Sequence, residues 1–198
     1  RDVTGVQTCA LPISRSGFRH SSLTQMTFQD ESVTRKVLLE LQRLPCAASL
    51  SQGAQITLAC FGSLARFSAD APIWEMGDEG KHFIIIARGL TEIVRYGKRD
   101  EELCMGVFGP GDLIGLSAAM HGTPYPGTAR TLTDGTQVVK VRLSPMLASN
   151  SAHLAELQIW MREMLLLHEQ ILRDKIDILN AGSVESRIFE LIAHLVRR

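Results

Sequence analysis

Several features that often reveal a function are scarce in this sequence. The 198-residue chain has no charge excess, because 21 Lys and Arg residues balance 21 Asp and Glu residues. A free-standing DNA-binding domain normally shows a basic excess, and the chain as a whole lacks one. No apolar run approaches the ~20 residues needed to span a bilayer, so we expect a soluble protein without membrane contact. No Ser-His-Asp order, metal-hydrolase helix or Walker loop occurs, and the sequence therefore predicts no enzyme.

Cysteine is also scarce, and one of the four belongs to an atypical N-terminal segment. Residues 1–14, RDVTGVQTCALPIS, resemble a translated sequencing adapter and lack the apolar core of a secretory signal. A natural disordered tail is the alternative, and neither would carry function. The remaining Cys46, Cys60 and Cys104 are odd in number and widely spaced. This favours reduced thiols in a cytoplasmic protein and predicts no disulfide framework, iron–sulfur cluster or other metal site.

Ordered structure is expected to begin with a short helix. Residues 15–36 are interpreted as a mobile lead-in, although helical spacing of apolar residues starts at residue 33 and continues to Pro45, which ends the helix. From residue 63 to residue 141 the period changes to two, with Gly-rich turns between short apolar runs. This pattern is typical of a β-sandwich or β-barrel.

The most informative stretch is residues 108–132, FGPGDLIGLSAAMHGTPYPGTARTL. It predicts a short strand at Leu113 and Ile114, one or two helical turns, a loop of Gly and Pro, and a second strand from Thr128. Such an arrangement collects backbone N–H groups around one point and can hold a small anionic ligand. The alternative is an ordinary corner of a barrel.

This stretch resembles the phosphate-binding cassette of the cyclic-nucleotide-binding fold found in Crp/Fnr-type transcription regulators, and we call residues 108–132 the cassette. The likeness extends upstream through residues 67–80 and 83–94. It implies a mainly β fold with α-helices: a double-stranded β-helix (a jelly-roll or cupin-like β-roll) over residues 37–147, followed by a long dimerisation helix over residues 148–181. Residues 182–198 would start a winged helix-turn-helix domain that is truncated before its recognition helix.

The resemblance also implies a set of ligand-binding positions. They are Gly111, Gly115, Leu116, Ser117, Ala118, Gly127, Thr128, Ala129 and Arg130. In relatives that bind cyclic AMP, a glutamate stands at the position of Leu116 and an arginine at that of Gly127. A charged hydrogen bond contributes ~1.5–3 kcal/mol, so the loss of both predicts an intact backbone cradle without tight cyclic AMP binding. Arg130 is the one candidate replacement, but its odd offset in a strand directs it to the opposite face. No cofactor is therefore assigned, and an effector is expected to be less anionic or to bind elsewhere.

The long helix carries an apolar stripe with alternating steps of three and four residues. Its members assigned to dimerisation are Leu154, Leu157, Met161, Met164, His168, Ile171 and Ile178. At 1.5 Å per residue, residues 151–179 would span roughly 43 Å, which exceeds the small β domain. We predict a homodimer through this stripe; the alternative is a helix packed on its own sheet. After residues 180–182, Ser183 should cap another helix with Ile188, Leu191, Ile192 and Leu195 facing inward.

These observations favour the effector-sensing and dimerising part of a Crp/Fnr-type transcription regulator. A signal in the β-roll would act through the long helix, and DNA would be a partner of the full-length protein only. Two other functions are open. One is a cyclic-nucleotide-binding regulatory module of a non-transcriptional protein, and the other is a degenerate domain that dimerises without sensing.

Overall fold

The computed structural model describes residues 31–97, 101–180, 183–186, 188, 189 and 192. The expectations for residues 1–14 and 15–30 lie outside this part. The described helices are α1 (Glu31–Leu41), α2 (Gln52–Cys60), α3 (Leu116–His121), α4 (Leu143–Leu147) and α5 (Leu154–Asn180), with a 3₁₀ turn at Pro45–Ala47. The described strands are β1 (Gly62–Phe67), β2 (Pro72–Trp74), β3 (His82–Arg88), β4 (Thr91–Tyr96), β5 (Glu102–Phe108), β6 (Leu113–Ile114), β7 (Thr128–Thr131) and β8 (Thr136–Arg142).

The strands form two antiparallel sheets that pack face to face. Each described sheet has four strands, in the orders β1-β8-β3-β6 and β2-β7-β4-β5. The chain crosses repeatedly from one sheet to the other, as a jelly roll requires. The predicted double-stranded β-helix followed by a long helix is therefore confirmed.

Strand β3 explains why the sequence shows a continuous apolar run rather than strict alternation. Phe83 and Ile85 belong to a core cluster formed with the helices, whereas Ile84 and Ile86 belong to the cluster between the two sheets. Both faces of this strand are thus buried, so neither face has to be polar. The first sheet is consequently the middle layer of the domain, with helices on one side and the second sheet on the other.

The helical lead-in starts earlier than the sequence interpretation placed it. Helix α1 begins at Glu31, and Val33 packs against the helix-side core. The described end of the predicted mobile segment, residues 31–36, is therefore ordered, because its apolar positions continue the stripe of Val37 and Leu41. Both of these side chains are fully buried.

The described part of the α5 apolar stripe packs on its own β-roll, which corrects the predicted dimer role of Leu157 and Met161. Leu157 and Met161 are at most 1% exposed and belong to the helix-side core, and Met164 packs partly against the same cluster. The apolar face of α5 and the helix side of the first sheet cover each other, so Leu157 and Met161 are not available to a second chain. Leu154 is half-buried. The side chains of Ile171 and Ile178 lie outside those that the structure describes.

Polar contacts hold the start of α5 against α2. The backbone N–H and the hydroxyl of Ser51 both donate to the Glu156 carboxylate, at 2.5 and 2.7 Å. These bonds lower the pKa of Glu156 below its ordinary value. The hydroxyls of Thr57 and Ser151 are hydrogen-bonded at 2.8 Å. The first turns of α5 are thereby fixed to the rest of the domain.

Beyond α5, the structure describes the start of a further helical segment. The Ser186 N–H donates to the Ser183 hydroxyl at 3.1 Å, which is the N-cap bond expected of Ser183. Ile188 and Ile192 are 52% and 55% exposed, so their predicted inward orientation is wrong in this structure. Leu191 and Leu195 lie outside the described residues. No helix in the described part of the chain has the length and apolarity to cross a membrane.

Candidate functional site

The cassette adopts the strand, short helix, loop and strand that its sequence predicts. Strand β6 leads through Gly115 into α3, Gly122 caps the C-terminus of this helix, and the chain enters β7 at Thr128. Gly115 and Gly122 both have positive φ values, of 75° and 62°. Glycine adopts this left-handed conformation without a steric penalty, so the two residues fix where the helical turn begins and ends.

The surroundings of Gly115 would also crowd a side chain. A Cβ atom at this position would lie 3.0 Å from Cε1 of Tyr125 and 3.2 Å from Cη2 of Trp74. Two aromatic rings therefore lie directly against the backbone at the start of α3. This is the point at which the sequence predicted a ligand cradle.

Trp74 and Tyr125 form a stacked pair inside the roll. Their ring centroids are 4.2 Å apart with an interplanar angle of 18°, and the residues are 8% and 5% exposed. The Trp74 indole Nε1 donates to the carbonyl oxygen of Gly127 at 2.8 Å. The Tyr125 hydroxyl donates to the carbonyl oxygen of His82 at 2.5 Å and accepts from the N–H of His82 at 3.3 Å. Burial raises the pKa of this hydroxyl.

Sequence reasoning did not single out either aromatic residue. One signal was present, because the whole chain has only two Trp and two Tyr residues and Tyr125 lies within the cassette itself. Trp74, however, is 53 residues away from Gly127 in sequence, so only the fold brings the two together.

The first half of the predicted site is divided between different environments. Leu116 is 3% exposed and belongs to the helix-side core, whereas Ala118 is 6% exposed and belongs to the inter-sheet core. Ser117 is exposed, and its carbonyl oxygen is 2.8 Å from Nδ1 of His121. The Gly111 N–H donates to the carbonyl oxygen of Ile86, which ties the preceding turn to β3. These positions shape the backbone but do not converge on one open cavity.

The second half of the site places Arg130 on the outer face of its sheet. Ala129 is fully buried between the sheets, and Arg130 points the other way, opposite Glu92 on β4. Its Nε donates to Glu92 at 2.7 Å, and its two terminal nitrogens donate to Glu102 at 2.5 and 3.0 Å. These bonds raise the pKa of the guanidinium. Thr128 accepts a hydrogen bond from the N–H of Met76 at 3.0 Å.

Helix α5 covers the cassette through His168. Its imidazole stacks on Phe108, with centroids 5.6 Å apart and planes 6° apart. His168 therefore contacts its own roll rather than a helix dimer stripe. Two clefts of about 30 and 50 Å³ lie beside it, and both are lined by Leu113 and Met164. They have room for a few water molecules but not for a nucleotide.

Comparison with known proteins agrees with this geometry. Residues 64–148 match the family model of the cyclic nucleotide-binding domain. A cyclic nucleotide-binding domain from Methylobacillus flagellatus KT is similar with a TM-score of 0.63 and 15% identity, over 80% of this chain and 90% of that chain. The N-terminal domain of a transcriptional regulator from Streptomyces coelicolor A3(2) is similar with a TM-score of 0.53 and 20% identity, over 68% and 95% of the two chains.

A third neighbour is the regulatory subunit of a cAMP-independent protein kinase A from Trypanosoma cruzi, bound to guanosine. Its TM-score is 0.50 at 22% identity, and the match covers 56% of this chain and 39% of that chain. No curated protein sequence matches the chain. At these identities the neighbours show the fold alone. Residues 64–148 therefore have the fold of a cyclic nucleotide-binding domain.

Proposed function

We propose that the chain is the effector-sensing and dimerising part of a Crp/Fnr-type transcription regulator in the cytoplasm. The observation that carries the proposal is the continuation of a cyclic nucleotide-binding domain into a 27-residue helix, α5. At 1.5 Å per residue this helix is about 40 Å long. Its described contacts with the roll extend from Leu157 to His168. Such a helix can connect a sensing domain to a second copy and to a following domain.

The contacts of α5 offer a route from the cassette to the helix. His168 stacks on Phe108, the first cassette residue, and Met164 lies beside Leu113 in the same cleft. A change in the cassette would therefore alter the surface on which α5 rests. In a protein with two packings of α5, a signal shifts their populations by the difference in its affinity for them.

The proposed regulator is tested with the complete product of the natural gene. A dimeric helix-turn-helix regulator should select duplexes that contain an inverted repeat, with half-sites separated by one helical turn of about 10 bp or a multiple of it. The measurement is selection from fragmented genomic DNA, followed by titration at fixed salt. Enrichment of no sequence above non-specific binding would contradict the transcriptional role and favour a regulatory module of a non-transcriptional protein.

Cyclic nucleotides are expected to bind weakly or not at all. Leu116 and Gly127 carry no charge, and the guanidinium of Arg130 is already bonded to Glu92 and Glu102. Calorimetry of the wild type with cyclic AMP and cyclic GMP should give no saturable heat at micromolar concentrations. Arg130→Ala should behave in the same way. Arg95→Ala, an exposed arginine on the same sheet, is the matched control.

One result would contradict this expectation directly. If either nucleotide binds with micromolar affinity, and Arg130→Ala abolishes binding while Arg95→Ala does not, Arg130 exchanges its two carboxylate partners for the ligand phosphate. The outward orientation of its strand position would then not describe the liganded state.

A further inference from the structure

The Trp74 side chain spans the space between the two halves of the cassette. One end of the indole, Nε1, is hydrogen-bonded to the carbonyl oxygen of Gly127 at the start of β7. The other end, Cη2, lies 3.2 Å from the Cβ position of Gly115 at the start of α3. A single ring system therefore links the two backbone segments between which a ligand of the cassette would have to lie.

Tyr125 holds the indole in this position. Its ring stacks on the indole, and its hydroxyl makes two hydrogen bonds to the backbone of His82. The indole N–H and the phenol O–H each have a backbone acceptor, so neither donor needs a hydrogen bond to solvent or a ligand. Both residues belong to the inter-sheet core.

We infer that Trp74 and Tyr125 are a built-in occupant of the cassette. They fill the space over Gly115 and hold the two halves of the cassette together in the absence of any ligand. A ligand could enter only by separating the stack and breaking the bonds to Gly127 and His82. The inference concerns the cassette alone and holds whether or not the protein binds DNA.

The wild-type protein provides the first test. Its two indole N–H resonances in a ¹⁵N-correlation spectrum are distinguished with Trp160→Phe. Titration with cyclic AMP, cyclic GMP or guanosine to millimolar concentration should leave the Trp74 resonance unmoved, with slow exchange against solvent deuterium. A saturable shift of the Trp74 resonance with any of the three would overturn the inference, because the indole would then give way to a ligand.

The second test removes one ring and supplies it from solution. Tyr125→Ala should leave an apolar cavity the size of a phenol ring, and such cavities bind small aromatic molecules. Phenol should raise the melting temperature of this variant in a saturable manner. At a phenol concentration of ten times its Kd, the folding equilibrium constant should increase about tenfold. Wild type and Tyr96→Ala, which removes the other, exposed tyrosine, should show no such gain.

Tyr125→Phe separates the ring from its hydroxyl. It keeps the stack and loses the bonds to His82, so it should be less stable than the wild type but gain nothing from phenol. Equal stabilisation of Tyr96→Ala and Tyr125→Ala by phenol would overturn the inference, and so would a lack of stabilisation of a folded Tyr125→Ala protein. Neither result would affect the DNA-selection experiment. Failure of the inference about the cassette is therefore distinguishable from failure of the proposed function.

Discussion

Replacing Trp160 with alanine is expected to lower the free energy of unfolding by about 3–5 kcal/mol, the usual cost of deleting a buried Trp side chain. Trp160 is 2% exposed and lies in the helix-side core, with its ring centroid 6.5 Å from that of Phe83 on β3. Its Nε1 donates to the carbonyl oxygen of Cys46 at 2.6 Å. The substitution therefore leaves both a cavity and an unsatisfied carbonyl. Urea denaturation followed by far-UV circular dichroism measures the loss.

Trp160→Phe is the matched control for this prediction. It retains most of the apolar contact and removes the hydrogen bond, so it should cost about 1–3 kcal/mol, less than the alanine variant. A loss of about 0.5 kcal/mol or less for Trp160→Ala, as at an exposed position, would contradict the burial of α5 against the roll. If the transitions followed by far-UV and near-UV circular dichroism do not coincide, the variant populates an intermediate and unfolding is not two-state.

Burial also accounts for an inert thiol beside this contact. Cys46 lies in the 3₁₀ turn at Pro45–Ala47 and packs partly against the helix-side core. Desolvation there raises the pKa of its thiol to about 11. Since the thiolate is the reactive form, Cys46 is protonated at neutral pH and is a packing residue rather than a redox centre.

The strands and glycine turns of the roll could be predicted from local sequence. Alternation, Gly-containing turns and the continuous apolar run of β3 each report on a few neighbouring residues. The left-handed Gly115 and Gly122 are likewise local signals, because only the backbone conformation at each position is involved. The bounds of α5 were less accurate, since the helix starts at Leu154 rather than at residue 148.

The partners of buried faces could not be predicted in this way. A helical stripe such as Leu157 and Met161 shows that one face of α5 is covered, but not whether the same chain or a second one covers it. The same limit applies to the cassette. Its sequence predicted a cradle of backbone N–H groups, but not that the indole of Trp74, from a distant strand, lies against the start of α3.

The proposed dimer must accordingly use the face of α5 that the roll leaves uncovered. Ile159 and Leu166 are 52% and 57% exposed. They are seven residues apart, so they lie on the same face of the helix. This face is opposite to that of Trp160, Met161 and Met164. We therefore expect the wild type to sediment as a dimer at micromolar concentration, with these two side chains in the helix–helix contact.

Ile159→Lys combined with Leu166→Lys should convert this dimer into a folded monomer. If each half-exposed side chain gains about 1 kcal/mol on burial, the four in a symmetric pair contribute about 4 kcal/mol, or roughly a thousandfold in Kd. Lysine is a good helix former, so the far-UV circular dichroism of the monomer should not change. Sedimentation equilibrium measures the effect.

Leu39→Lys on α1, where the side chain is 49% exposed, is the control that should remain dimeric. A double variant that sediments like the wild type would show that this face of α5 is not the contact, and a monomeric wild type would exclude the dimer itself.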